Sequence, residues 1–265
     1  MKKPTLFPIL VAVLVGLLAL PVFAQDEKPT GQLYSIHEDI VKPSMVAQYE
    51  SAVKDYVAEF VKHKIAFPYM QSSSTNDFHY FYLVPLENFA DLDKIKKAGE
   101  EFDKKLGEEK RQEFDKRFAG TYEYHQDLIA RMSGEYSYQP EAPRLKPEEA
   151  TFLHWTYLYI KAGKEKEANE IARQYKALYA SKKIADGYNL YIGEMGTEMP
   201  LFVVVSWAKS ASDFFTQQEK IKEMLGEEGQ ALAAKAMAVT RKFVQKTGRS
   251  RPDISYMPEE EITAK

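Results

Sequence analysis

The stretch Ser137-Tyr138-Gln139-Pro140-Glu141 returns 118 residues later as Ser255-Tyr256-Met257-Pro258-Glu259. A second pair, Leu106-Gly107-Glu108-Glu109 and Leu225-Gly226-Glu227-Glu228, is separated by 119 residues. Ala90-Asp91-Leu92 and Ser212-Asp213-Phe214 extend the correspondence upstream at 122. Several matches in one order at nearly constant spacing indicate an internal duplication, and a duplication must be recognised before the fold can be predicted.

The duplication divides the chain into two modules, 30–142 and 150–260, joined through Ala142-Pro143-Arg144-Leu145-Lys146-Pro147. Period-2 and helical patterns predict the same order, β-α-β-β-α-β, in each module. The predicted strands are 33–41, 67–72, 78–84 and 135–138 in the first module, and 151–160, 186–192, 201–207 and 254–257 in the second. The longest predicted helical region, 87–131, is interrupted at Gly99, Gly107 and Gly120.

This order of elements is the ferredoxin-like split βαβ arrangement, so the sequence predicts the α+β class. Such a module covers one face of its sheet with helices and leaves the other face bare, and a bare apolar face of that size requires a partner. The second module can supply it. We therefore expect the two sheets to face each other as an α+β barrel within one chain.

The residues His37-Glu38-Asp39-Ile40-Val41-Lys42-Pro43, followed by Tyr49-Glu50, resemble the start of NIPSNAP-like modules. These belong to the dimeric α+β barrel superfamily, together with antibiotic-biosynthesis-type monooxygenases and small haem-degrading enzymes. The resemblance implies the barrel and allows a monooxygenase or a haem protein. The second module departs from it, with Lys161-Ala162-Gly163 where the first has Lys42-Pro43-Ser44.

Composition excludes several classes of function. The 265 residues include no cysteine, which excludes disulfides, thiolate catalysis and cysteine-ligated metals. A net charge of −3 without a basic stripe gives no reason to expect nucleic acid as a partner. Phosphate loops, dinucleotide fingerprints, hydrolase elbows and short-range histidine pairs are absent, so no cofactor and no metal are expected.

The first 24 residues read as a secretory signal peptide, with Lys2 and Lys3 before an apolar run from Leu6 to Leu20 and a cleavage site after Ala24. The alternative is an uncleaved anchor, but the run is shorter than the roughly 20 residues that a spanning helix needs. We expect a periplasmic or secreted protein with no membrane association after cleavage. As oligomeric state we expect a monomer or a weak homo-oligomer.

Strand alternation separates two faces of each sheet. In the first strand Ser35, His37 and Asp39 share one face, opposite Tyr34, Ile36 and Ile40. Because the second set is apolar, we assign it to the helices and the first set to the space between the sheets. The same assignment predicts a pocket lined by Ser35, His37, Asp39, Tyr80, Tyr82, His154, Thr156 and Ser206.

Three classes of function remain open. One is an exported protein that binds a small, partly apolar molecule between the sheets. Another is a cofactor-poor monooxygenase or isomerase, in which His37 is the catalytic base, Asp39 orients it and Tyr80 or Tyr82 holds a substrate oxygen. The third is a structural or interaction protein with a filled barrel. His154 is the candidate ligand if the barrel binds haem, His125 is assigned to a helix, and His63 and His79 are interpreted as structural.

Export predicts a defined mature terminus. N-terminal sequencing of the protein purified from its own host should begin at Gln25, because a small residue precedes the expected cut. Recovery of chains that retain Met1 in a membrane fraction would contradict this.

Overall fold

The first half of the chain forms four strands and three helices in the computed structural model, which describes residues 31–66 and 68–258. These elements are β1 (Gln32–Val41), α1 (Val46–Lys62), β2 (Gln71–Thr75), β3 (His79–Leu86), α2 (Asp91–Leu106), α3 (Glu108–Phe118) and β4 (Tyr122–Met132). Pro43 opens a short 3-10 turn before α1, where its fixed φ suits the first helical turn.

The second half repeats the order with β5 (Phe152–Ile160), α4 (Glu165–Ser181), β6 (Tyr188–Met195), β7 (Leu201–Ala208), α5 (Ala211–Val239) and β8 (Thr240–Ser250). Helix α5 is kinked at Gly226, where φ is 57°. Its counterpart Gly107, with φ of 80°, separates α2 from α3. The repeated Leu-Gly-Glu-Glu therefore marks a break in the helical region of both halves, since glycine adopts positive φ without steric cost.

All eight strands close into one barrel in the order β1-β3-β2-β8-β5-β7-β6-β4, and each neighbouring pair is antiparallel. Each half contributes a four-stranded sheet with its first and third strands in the centre. The edge strands meet across the halves, β2 on β8 and β4 on β6. The predicted α+β class and the intramolecular barrel of two ferredoxin-like modules are confirmed.

The two junctions between the halves are made by close backbone contact. In the β2–β8 junction Gly248 lies opposite Thr75. A Cβ atom at Gly248 would lie 2.0 Å from the carbonyl oxygen of Ser74, so a side chain there would separate the strands. At the β4–β6 junction the glycine in close contact is Gly196, directly after β6, where a Cβ atom would lie 2.3 Å from the carbonyl oxygen of Asp127. A glycine thus allows each seam of the barrel to close.

The predicted fourth strands are wrong in position. The strands lie earlier in the chain, at Tyr122–Met132 and Thr240–Ser250, in segments that the sequence pattern assigns to helices. Their outward residues are largely exposed and polar or charged, so they lack the near-continuous apolar run that marks a strand with both faces covered. The segments predicted as strands, 135–138 and 254–257, form instead one isolated bridge each, Tyr138 to Tyr188 and Met70 to Tyr256.

These bridges belong to tails that each half extends into the other half. Tyr138 leaves β4 and is buried with Leu178 and Ile221 of the second half. Tyr256 leaves β8 and is buried with Tyr49 and Val57 of the first half. The repeated Ser-Tyr motif is therefore the segment that each half contributes to the core of the other.

The hydrogen bonds of the two tails match as well. The hydroxyl of Tyr138 donates to the carbonyl of Ile184, and that of Tyr256 to the carbonyl of Ile65. The preceding serines each accept a hydrogen bond from a strand amide, Ser137 from Leu190 at 2.9 Å and Ser255 from Ser72 at 2.9 Å. This agreement confirms that the repeat reflects one structural unit used twice.

An ion-pair network also holds the second tail against the first half. Arg251 is 2% exposed and forms hydrogen bonds with Glu50 of α1 and with both carboxylate oxygens of Asp253. The guanidinium of Arg251 holds the pKa of Asp253 below its usual range. Tyr80 donates to the same Glu50 oxygen at 2.6 Å, so a buried charge from the second half is paired inside the first.

The expected signal peptide, residues 1–24, lies outside the described residues, as does Phe67 of the predicted second strand. Across the part of the chain that the structure describes, no helix is both long and apolar enough to cross a membrane.

The crossed tails predict that substitution of the buried tyrosine in the second tail strongly destabilises the protein. Tyr256→Ala should lower the free energy of unfolding by about 3–5 kcal/mol, because it empties an aromatic site in the core of the first half. Its neighbour Met257 is 37% exposed, and Met257→Ala should change the free energy by less than about 0.5 kcal/mol. Urea unfolding followed by circular dichroism measures both, and equal effects would contradict the tail exchange.

Candidate functional site

A cavity of about 1540 Å³, partly open to solvent, lies within the barrel. Eight-stranded barrels are commonly just wide enough for inward side chains to fill or to hold one small ligand. Here the inward residues leave the space open. The strand residues that line it include Ile36, Glu38, Phe81, Leu83, Gln126, Leu128, Trp155, Tyr157, Tyr159, Tyr191, Val203, Val205, Trp207 and Val244.

Most of this lining is aromatic or aliphatic. Strand β5 presents Trp155, Tyr157 and Tyr159 on one face at period 2, as alternation requires. Across the lumen the ring of Phe81 lies 6.2 Å from that of Trp155. The cavity therefore offers flat apolar surfaces, which suit a ligand with ring or chain hydrocarbon.

A polar group interrupts the apolar lining beside β1 and β3. Glu38 is 6% exposed. Its Oε1 accepts a hydrogen bond from His79 Nδ1 at 2.5 Å, and its Oε2 accepts one from Gln126. The other nitrogen of His79 lies 3.5 Å from Asp77 Oδ2, which also pairs with Lys246 Nζ at 2.7 Å. A carboxylate–imidazole pair thus lies at the wall of the cavity.

Tyr157 lies across the cavity from this group, and burial raises the pKa of its phenol. Its hydroxyl is therefore a neutral donor at physiological pH. Among the described residues no hydrogen-bond partner of that hydroxyl is present, which leaves it free for a ligand atom in the lumen. Buried phenols usually find a partner, so an unpaired one in an open cavity is a feature of a binding site.

The linker between the halves closes part of the cavity. Pro143, Leu145 and Lys146 line it, and Leu145 is buried. Arg144 fixes the linker to the second half through Asp186 at 2.8 Å and through both oxygens of Asp213 at 3.0 Å. The segment that joins the modules in sequence therefore also bounds the space between them.

None of the eight residues predicted to line the pocket does so. Ser35, His37, Asp39, Tyr80, Tyr82, His154, Thr156 and Ser206 lie on the outer faces of their strands, towards the helices, and the apolar set that includes Ile36 faces the lumen. Alternation grouped the residues correctly, but the assignment of the two faces is wrong. The reason is that the lumen is lined by bulky aromatic side chains, whereas the helix layer leaves room for polar ones at its margin.

Two of the displaced residues, Tyr82 and Asp39, are joined through Tyr49 in a buried hydrogen-bond chain under α1. The hydroxyl of Tyr49 donates to Asp39 Oδ2 at 2.6 Å. Because that hydroxyl has a single proton, Tyr82 is the donor in its 2.7 Å contact with Tyr49. Tyr80 belongs to the same core cluster. These groups stabilise the packing of α1 on the sheet.

The displaced residues of the second half, on β5 and β7, lie on the side of the sheet that faces α5. The ring of His154 stacks on Phe214 of α5, with centroids 4.6 Å apart, and burial lowers the pKa of His154. Thr156 Oγ1 lies 3.5 Å from His154 Nδ1. Ser206 lines a narrow recess between β7 and α5. Because His154 packs against a helix and does not line the cavity, the described residues leave no space beside it for the haem that it is predicted to bind.

His37 and Asp39 do approach each other, as their spacing predicts. His37 Nε2 lies 3.2 Å from Asp39 Oδ1, and His37 Nδ1 lies 2.7 Å from Asp127 Oδ1. Burial lowers the pKa of His37, but the carboxylates of Asp39 and Asp127 outweigh burial and raise that pKa to about 9. The pair therefore exists on the outside of the barrel.

Comparison with known proteins supports the fold. No protein-family model matches the chain, and no curated protein matches it. Among solved structures it is similar to an anthrone oxidase-like protein, with a TM-score of 0.56 and 12% identity over 83% of this chain and 92% of that one. A putative monooxygenase from Lactobacillus acidophilus NCFM gives 0.51 and 5%, covering 86% and 97%.

A putative monooxygenase from Fusobacterium nucleatum subsp. nucleatum gives a TM-score of 0.51 and 12% identity, covering 83% of this chain and 93% of that one. The chain has the ferredoxin-like α+β barrel fold. At these identities the likeness concerns the fold, and the chemistry of the barrel has to be argued from its own residues.

Two histidines lie where the sequence does not predict them. The sequence assigns His79 a structural role and places His125 on a helix, but His79 lines the lumen and His125 lies on β4. The sequence does contain a pattern that marks the cavity face. Glu38 lies on the same face of β1 as Ile36, and the equivalent face of β5 carries Trp155, Tyr157 and Tyr159 at alternate positions. A lone carboxylate on a strongly aromatic face is more typical of a cavity wall than of a helix contact.

The Glu38–His79 pair predicts a measurable coupling. In a double-mutant cycle of Glu38→Gln and His79→Leu, the interaction free energy should be about 1–3 kcal/mol, because removal of His79 leaves a buried carboxylate short of a donor. The exposed pair Lys164–Glu167 should give less than about 0.5 kcal/mol. Urea unfolding of both cycles is the measurement, and equal coupling in the two cycles would refute a buried pair.

Proposed function

We propose that the protein binds a small, partly apolar molecule in the lumen of the barrel, after export across a membrane. The observation that carries this proposal is the open cavity of about 1540 Å³, whose lining is mostly aromatic and aliphatic. Ligand pockets of about 300–1,000 Å³ are typical of small-molecule sites, so the space is ample. A structural protein with a filled barrel core does not account for such a volume.

The polar groups define how a ligand would be oriented. Tyr157 supplies a neutral hydroxyl donor, while the Glu38–His79 pair supplies a fixed polar contact at the opposite wall. Lys242 and Lys246 also line the cavity, and each is paired with a carboxylate, Lys242 with Glu198 at 3.0 Å and Lys246 with Asp77 at 2.7 Å. This arrangement favours a ligand with an apolar body and one oxygen-bearing end that accepts a hydrogen bond.

Tryptophan fluorescence provides a direct test, because both tryptophans of the chain, Trp155 and Trp207, line the cavity. Titration with 1-anilinonaphthalene-8-sulfonate should quench the tryptophan emission and transfer energy to the probe. Val203→Phe should weaken probe binding about tenfold, because the larger side chain narrows the lumen beside Tyr157, with which Val203 is paired on the neighbouring strand.

The matched control is Val61→Phe, which adds the same atoms at a residue of α1 that is 51% exposed. It should bind the probe as the unmodified protein does. Unchanged affinity in Val203→Phe, or tryptophan emission that does not respond to the probe, would overturn the lumen as the site. Native mass spectrometry of protein from its own host then identifies the retained molecule.

A second candidate is an enzyme that uses the same lumen. Solved proteins of this fold include the two putative monooxygenases and the anthrone oxidase-like protein. The acid–base pair would then be Glu38 and His79, because His37 and Asp39 lie outside the cavity. Comparison of the molecule retained by Glu38→Gln with that retained by the unmodified protein separates the candidates. One shared mass supports binding alone, whereas accumulation of a chemically different precursor in the variant supports catalysis.

A further inference from the structure

A second group of chemically active side chains lies outside the barrel, on the outer faces of β1 and β4. His37 and Asp39 are two residues apart on β1, and His125 and Asp127 are two residues apart on β4. In the antiparallel register His37 lies opposite Asp127, and Asp39 lies opposite His125. Directly opposed and alternate residues of neighbouring strands point to the same side, so two imidazoles and two carboxylates share one small patch.

The distances in this patch suit a metal ion. One ligand atom from each of His37, Asp39 and His125 lies within 4.8 Å of the others. The rings of His37 and His125 are 5.4 Å apart between centroids. A divalent ion with bonds of about 2.0–2.2 Å holds its ligand atoms about 3–4 Å apart, so a rotation of the exposed His125 side chain closes the set.

Asp39 supplies an independent observation. This residue is 7% exposed, and its Oδ1 makes no hydrogen bond among the described residues. The other oxygen, Oδ2, is held by the Tyr49 hydroxyl at 2.6 Å, so the carboxylate cannot turn to satisfy Oδ1 elsewhere. That oxygen lies 3.2 Å from His37 Nε2 but outside hydrogen-bond alignment, so the imidazole reaches it only as a charge contact. A buried carboxylate oxygen without a hydrogen bond is unfavourable, and a cation bound between the two atoms satisfies it directly.

Asp127 prepares His37 to act as a ligand. Its carboxylate contacts His37 Nδ1 at 2.7 Å, so Nδ1 is the nitrogen that donates and Nε2 is the one that faces Asp39. Metal-binding histidines commonly donate their other ring N–H to a carboxylate, which fixes the ring and raises its basicity. The His37 side chain is 40% exposed, so solvent and an ion can reach the patch.

We propose that His37, Asp39 and His125 bind a divalent transition-metal ion such as Zn²⁺, with Asp127 and Tyr49 as positioning residues. Two imidazoles and one carboxylate suit Zn²⁺ and its neighbours in the first transition row, whereas Ca²⁺ and Mg²⁺ prefer a set made of oxygens. The site lies on the opposite side of the sheet from the lumen and is therefore separate from the ligand site proposed above. The proposal departs from the expectation of no metal, which rests on short sequence motifs, because this set of residues is assembled across two strands.

Calorimetric titration of untagged, chelator-treated protein with Zn²⁺ tests the site. We expect one ion per chain, and Co²⁺ in its place should give visible absorption bands of a four- or five-coordinate ion. Removal of a ligand in His125→Ala should weaken Zn²⁺ binding by more than about tenfold, and Asp127→Asn should weaken it by about 10- to 100-fold.

His63→Ala is the matched control, because His63 also contacts a carboxylate, that of Glu59 at 3.2 Å, but lies at the end of α1 away from the patch. It should bind Zn²⁺ as the unmodified protein does. His125 is exposed, so circular dichroism and binding of the fluorescent probe in the lumen should be unchanged in His125→Ala. Zn²⁺ affinity that is equal in His125→Ala and the unmodified protein, or no binding at one equivalent, would overturn the proposal.

Discussion

The reciprocal exchange of tails between the two halves is the constraint on which the rest of the structure depends. Tyr138 is buried among residues of the second half, and Tyr256 among residues of the first. Each half therefore lacks part of its own core unless the other half is folded against it. The exchange also brings the edge strands together, β2 on β8 and β4 on β6, so that no edge strand is left unpaired.

Closure of the barrel gives the two faces of each sheet different surroundings, an inner face around the cavity and an outer face under the helices. The inner face carries large aromatic residues around an open space, with Glu38 and His79 as a polar pair in the wall. The outer face is covered by helices except at its margin, where His37 and Asp127 remain partly exposed. The two proposed sites thus lie on opposite faces of one sheet, because neighbouring residues of a strand point to opposite sides.

Much of the architecture could be predicted from sequence, since it depends on local patterns. The repeat indicates two copies of one unit, and the break predicted at Gly107 is confirmed, because glycine tolerates the positive φ found there. The interruption predicted at Gly99 is wrong, since that residue lies within α2, and the break at Gly226 is not predicted from the sequence. The fourth strands could not be recognised. The segments Tyr122–Met132 and Thr240–Ser250 carry exposed charged residues on the outside, and their pairing partners lie far away in the chain. A strand of that kind is stabilised by its neighbours more than by its own composition.

The sequence by itself determined which residues share a strand face, because alternation at period 2 is a property of the extended backbone. It also determined that the chain is a duplication. Only the tertiary structure decided which face became the lumen, since that depends on how two sheets close around each other and on the volume that this leaves. The same holds for His125, which reaches His37 and Asp39 through the register of β1 with β4, over a separation in sequence that no local motif records.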